Sequence, residues 1–141
     1  MLIFLDEEGR FEEVTYAQLF EEVKLYAAAF RKNGLRKGDL VCCMMNNRKE
    51  AVIGCLAAAS MGAMWTGIQV YYGAKTAAKI ANRMEPKFFL VPDGFFVEDI
   101  YVNLYEKIPI IVESAPSIEK VIIIPTRDET LSKGISHIRN R

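Results

Sequence analysis

The side chains in this chain that could do chemistry are few and badly spaced for it. Three cysteines (Cys42, Cys43 and Cys55) and one histidine (His137) are the only thiols and imidazole in 141 residues. Together they could in principle hold zinc. However, neighbours on a strand point to opposite faces, so the Cys42–Cys43 pair does not converge on one ion. No CxxC spacing occurs, and an odd count with an adjacent pair does not build a disulfide framework. The cysteines therefore read as buried free thiols of a reducing compartment. His137 lies in a polar tail beside Arg139 and Arg141. No Ser, Cys or carboxylate stands at motif spacing from it, so a hydrolase triad has no support. These patterns assign neither a catalytic residue nor a metal site.

The paired acids Glu7-Glu8, Glu12-Glu13 and Glu21-Glu22 suggest general acid–base work only if one member sits in a low-dielectric pocket. They fall beside a turn and on the polar face of a helix, which makes them solvated surface. Gly62, Gly67 and Gly73 are too widely spaced to wrap one phosphate, and neither G-x-G-x-x-G nor G-x-x-x-x-G-K-[ST] is present. Turn and packing roles account for isolated glycines. Trp65, Tyr71 and Tyr72 allow two readings. One is core packing with a bonded hydroxyl; the other is a wall that stacks a planar ligand such as adenine. Composition favours packing, because aromatics are common core residues.

Elements must position these residues, and the chain is about one domain long. Hydrophobic residues make up 51% and aromatics 11%, enough for a packed core. Lys plus Arg and Asp plus Glu both total 18, so the net charge is zero and bulk electrostatics supplies no hold on nucleic acid or an anionic membrane. The apolar start is too short for a signal peptide, and no segment reaches the roughly 18 apolar residues of a membrane span. A cytoplasmic protein is the expectation.

Residues 3–5 and 11–14 flank an acidic, Gly-containing turn, which predicts a β-hairpin. Thr15-x-x-Gln18 fits a capping box opening a helix with Leu19, Val23, Tyr26, Ala27 and Phe30 on its buried face. Gly34 ends it. Residues 40–45 form an apolar run suited to a strand buried on both faces. Asn47 with Glu50 repeats the cap pattern before a small, apolar helix over residues 51–59, which Gly62 ends. Strands follow at 63–68, 87–91 and 121–124. A helix with a basic face covers 74–83, and a short helix begins at Pro109, in the first-turn position that proline tolerates. Residues 92–105 carry no clear signal, and residues beyond Thr126 are polar and frayed. The pattern is α/β: a mainly parallel sheet flanked by helices, with an N-terminal β-hairpin.

Several stretches go beyond pattern. T-Y-A-Q-L at Thr15, G-L-R-K-G-D at Gly34, A-A-A-S-M-G-A-M-W at Ala57, M-E-P-K at Met84 and V-I-I-I-P at Val121 run in order without gaps. In these words the chain resembles the adenylate-forming acyl-CoA synthetases, most closely the acetoacetyl-CoA synthetase branch. The resemblance implies that residues 1–125 are part of the N-terminal domain and 126–141 a polar tail. It implies a ligase that joins ATP and a short acid such as acetoacetate into an acyl-adenylate, then passes the acyl group to CoA, with Mg²⁺ on the phosphates. It further implies a role in lipid metabolism and ketone-body use. The Ser/Thr/Gly-rich phosphate loop, the ribose-binding acid and the C-terminal lysine would all follow Arg141, so this chain is expected to be inactive alone and to need no cofactor of its own. A non-catalytic interaction module, or a diverged paralogue, is the alternative. It would self-associate through an apolar face such as the 51–59 helix.

One binding element carries over. Where the acetyl branch has Phe-Gly-Gly at the adenine end of CoA, this chain has Tyr72, Gly73 and Ala74. Tyr72 would stack on the adenine and Gly73 would allow a close backbone approach. The arginines that meet the CoA 3′-phosphate match Val97 and Ile100. Two other motifs differ as well: P-N-S is Asn46-Asn47-Arg48, and S-P-D-F-G is Gln69-Val70-Tyr71-Tyr72-Gly73.

Overall fold

The computed structural model describes residues 1–5, 9 and 11–126. The chain starts with β1 (Leu2–Leu5) and β2 (Phe11–Val14), an antiparallel pair in which Leu2 faces Val14 and Leu5 faces Phe11. Leu2, Phe4 and Val14 turn inward to pack with Leu19 and Ile53. Ile3, Leu5 and Phe11 look outward and are 57–69% exposed. Thr15 caps α1 (Tyr16–Lys32) as its sequence predicts. The Gln18 amide donates to Thr15 Oγ1 at 3.2 Å, and the Thr15 amide donates to Gln18 Oε1 at 2.9 Å. Gly34 follows the helix at φ +96°, a conformation open to glycine at little cost.

The central sheet contains β3 (Leu40–Cys43), β4 (Met64–Gly67), β5 (Phe88–Pro92) and β8 (Lys120–Ile124), all parallel, in the order β4-β3-β5-β8. The connections are α2 (Lys49–Ser60), α3 (Ala74–Met84) and α4 (Lys107–Ser114). Alternation along the strands builds two cores. Val41, Cys43, Phe88 and Leu90 face Phe30, Ala57 and Ala58 of the α1–α2 layer. Cys42, Met44, Phe89 and Val91 face Ala77, Ala81, Ile108 and Ile111 of the α3–α4 layer. This two-sided burial is why both strands read as unbroken apolar runs. Small residues let α2 sit close: a Cβ at Gly54 would lie 2.7 Å from the Trp65 ring. Among the described residues, no helix is long and apolar enough to cross a membrane.

Four sequence readings need correction. Asn47 does not cap α2. The cap position is Arg48, without a side-chain bond, and Asn47 Nδ2 instead donates to Leu5 O at 3.3 Å, tying the hairpin to the sheet. Residues 92–105 form a second hairpin, β6 (Gly94–Val97) with β7 (Ile100–Asn103). The helix α4 starts two residues before Pro109, which still falls within the first turn, where its missing N–H costs nothing. The 51–59 helix is not a bare apolar face, because Ile53, Gly54, Ala57 and Ala58 are buried and only Leu56, at 43%, is a large exposed side chain there. Glu7, Glu8 and His137, with all of the tail beyond Thr126, lie outside the described residues.

The amino ends of the strands are tied by one polar cluster. Lys87 Nζ donates to Asp39 Oδ2 at 2.8 Å and to Gly34 O at 2.9 Å, and the Arg36 amide donates to Asp39 Oδ2 at 2.7 Å. Partial burial works to raise the Asp39 pKa. The bonds from Lys87 and Arg36, with their positive charges, outweigh it and hold the carboxyl below its ordinary value. A depressed folded pKa contributes stability that is complete above the unfolded value of about 3.9 and is lost as pH falls through the folded one. Asp39→Asn should therefore cost about 1–2 kcal/mol at neutral pH through loss of a charged hydrogen bond. The gap between variant and wild type should close as the wild-type carboxyl protonates. Urea titrations at stepped pH measure this, and a gap that stays constant into strong acid would contradict it.

Candidate functional site

In an open α/β sheet, ligands approach the carboxyl ends of the strands, above all where connections leave in opposite directions. Here that point lies between β3 and β5: β3 connects outward to β4, while β5 connects the other way to β8. Three loops meet this edge: residues 44–48 after β3, 68–73 after β4, and Asp93 after β5.

The β4 loop carries Tyr72 and Gly73. Ile68 and Val70 are buried and anchor the loop, whereas Tyr71 and Tyr72 are 60% and 43% exposed. The Tyr72 amide donates to Gln69 O at 3.1 Å to close a turn, and Lys107 Nζ donates to Tyr72 O at 3.2 Å. Gly73 is the N-cap of α3 at φ −63°, ψ 153°, and no side chain caps the helix. A Cβ at Gly73 would meet nothing within 4 Å, so the start of α3 is open to approach. First-turn amides and the helix dipole favour negative charge there, and Lys75 adds a cation in the first turn.

The structure separates the aromatic trio. Trp65 packs in the α1–α2 core against Gly54. The Tyr71 ring stands edge-on to Phe95 of the other core, centroids 5.4 Å apart at 84°. Tyr72, 43% exposed, stands immediately before Gly73, the N-cap of α3. Val97 and Ile100 are exposed on either side of the β6–β7 turn. Between them Glu98 and Asp99 adopt φ of 46° and 63°. The turn is acidic where the resemblance would place phosphate-binding cations.

The thiols are split between layers, as strand alternation requires. Burial pushes Cys42 up to about 12 and Cys43 up to about 11, so neither is a ready nucleophile or metal ligand. Among the described residues, no group of three or more His, Cys, Asp or Glu is placed to hold a metal ion.

A second polar group at the same edge escaped the sequence. Arg48 forks onto Glu50, Nε to Oε2 and Nη2 to Oε1, both at 3.1 Å. Its Nη1 donates to Thr126 Oγ1 at 2.6 Å and its Nη2 to Pro125 O at 3.2 Å. Thr126 Oγ1 donates to Gly94 O, and the Thr126 amide donates to Oδ1 of the fully buried Asp93, both at 2.7 Å. Burial alone would raise the Glu50 carboxyl; the Arg48 bonds and charge outweigh it and hold it below its ordinary value. The only signals in sequence were an Arg two residues before a Glu and an Asp ending an apolar strand.

Residues 2–138 match the family model for the AMP-binding enzyme, and the chain belongs to that family. The relatives fall mainly in one branch. The chain is 33% identical over 140 residues to an acetoacetyl-CoA synthetase of Macaca fascicularis, covering 98% of this chain and 21% of that protein. It is 34% identical over 125 residues to the one of Mus musculus, covering 87% and 19%. It is 31% identical over 144 residues to an acetyl-coenzyme A synthetase of Pyrobaculum arsenaticum, covering 97% and 22%. The solved acetoacetyl-CoA synthetase from Streptomyces lividans superposes with a TM-score of 0.80 at 27% identity, over 89% of this chain and 20% of that one. The parallel four-stranded sheet with its flanking helices and leading hairpin thus matches the fold of that acetoacetyl-CoA synthetase. The chain spans about one fifth of the relatives it matches.

Proposed function

We propose that this chain is the opening part of an acetoacetate–CoA ligase-like enzyme and has no ligase activity alone. In the complete enzyme, ATP and a short acid such as acetoacetate would form an acyl-adenylate, with Mg²⁺ on the phosphates, and CoA would displace AMP. The observation that carries the reading is 33% identity across 98% of the chain to an acetoacetyl-CoA synthetase. The part this chain would play is contact with CoA at the start of α3. Tyr72 would stack on the adenine, and Gly73, with no side chain, would let the ligand reach the helix amides.

Binding of CoA to the purified chain tests this. Stacking of a base on an aromatic ring contributes about 1–3 kcal/mol, so Tyr72→Ala should weaken CoA binding about tenfold or more. Val97 and Ile100 offer no charge to the 3′-phosphate, so CoA and 3′-dephospho-CoA should bind within about twofold of each other, since a charged hydrogen bond would be worth about 1.5–3 kcal/mol. Tyr72→Ala binding as tightly as wild type would sink the assignment.

A second reading is a non-catalytic module that self-associates. The observation favouring it is the outer face of the first hairpin, where Ile3, Leu5 and Phe11 are each more than half exposed. Sedimentation decides: this reading expects dimers or larger species that Phe11→Lys disperses, and a monomeric wild-type chain rejects it.

A further inference from the structure

Pro125 and Thr126 leave β8 over the carboxyl edge of the sheet, and both are exposed. No apolar burial holds them in place, so the polar contacts must. Thr126 is gripped from two sides. Its amide reaches Asp93, just after β5, and its hydroxyl reaches Gly94 O at the start of β6, while Arg48 reaches across from the β3 exit to Thr126 Oγ1 and Pro125 O. Arg48 is itself fixed by the two-bond fork to Glu50, with 17% and 16% of the two side chains exposed. A planar guanidinium can serve a carboxylate, a hydroxyl and a carbonyl together; an ammonium cannot do so with the same geometry. The arrangement crosses the β3–β5 switch point, the place where a sheet of this kind ordinarily stays open to ligand.

We propose that Arg48 is a latch. Braced by Glu50, it pins the Pro125–Thr126 segment across the carboxyl end of β5, closing the crevice between β3 and β5 and fixing the direction in which the chain leaves β8. Release of Arg48 frees that segment without disturbing the strands beneath it, because their burial does not depend on it. Arg48 is on this account a positioning residue that acts through Thr126.

Amide hydrogen exchange on the full chain tests the latch. In Arg48→Ala, the Thr126 amide and the Asp93 amide (which donates to Ile124 O) should exchange about tenfold faster or more, while Val41, Cys42 and Cys43 of β3 keep wild-type rates. Thr126→Val keeps the bulk and removes the hydroxyl; it should show the same local acceleration, and it carries the test if Arg48→Ala fails to fold. Arg48→Lys should behave like Arg48→Ala. Wild-type rates at Thr126 and Asp93 in the variants would overturn the proposal. So would an equal acceleration at β3, which would make Arg48 an ordinary contributor to global stability.

Discussion

Phe89→Ala should remove about 3–5 kcal/mol of stability, much of what a domain of this size possesses. Phe89 is fully buried on β5, a strand paired on both sides, by β3 and β8. Its ring lies in the same core as Ala77, Ala78 and Ala81 of α3 and Ile108 and Ile111 of α4. The three alanines of α3 have no longer side chain to swing into the gap, so the cavity should persist. Cost rises with the volume left unfilled. Thermal and urea denaturation followed by circular dichroism read the loss directly. A deficit under about 1 kcal/mol would mean that the two layers do not meet at this ring.

The second large effect is expected at Gly94, the first residue of β6. A Cβ there would overlap the Tyr101 ring and stand 2.5 Å from Val102 O. The ring could turn aside, but the carbonyl belongs to the paired strand β7 and cannot. Overpacking usually costs about 1–3 kcal/mol, and a backbone obstacle puts this site at the upper end. Because the first carbon already makes the clash, Gly94→Ala should take most of the loss and Gly94→Val should add little. The damage should be local as well as energetic: the edge contact of Tyr101 with Phe96, centroids 5.3 Å apart, should go, with a change in near-ultraviolet dichroism. Gly94→Ala at wild-type stability would show that the hairpin can spread freely.

Much of the frame is legible in the residues because local and global demands coincide there. Thr15 with Gln18 makes its capping box whatever surrounds it. The apolar runs at β3 and β5 betray two-sided burial before any partner is known. The second hairpin was hidden because its turn has no glycine or asparagine; Glu98 and Asp99 take left-handed angles that those residues favour. The aromatic trio divides because strand alternation ends at Gly67, and the loop beyond sets the Tyr71 ring edge-on to Phe95. Arg48 could not be read at all. Its partners, Pro125 and Thr126, lie nearly eighty positions away, and no local pattern encodes a contact of that separation. Tyr72 and Gly73 were placed by resemblance to relatives, and what the structure adds is an open helix start beside them.

The adjacent thiols have a use that their burial hides. Cys42 belongs to the α3–α4 core and Cys43 to the α1–α2 core, one peptide bond apart. A thiol reagent reaches either only when the layer above it lifts, since both sulfurs are buried and strongly disposed to stay protonated. Their separate labelling rates would therefore clock the two halves of the molecule independently from a single point in the chain. A domain that opens all at once would mark both together, and one that sheds a helical layer first would record which layer it was.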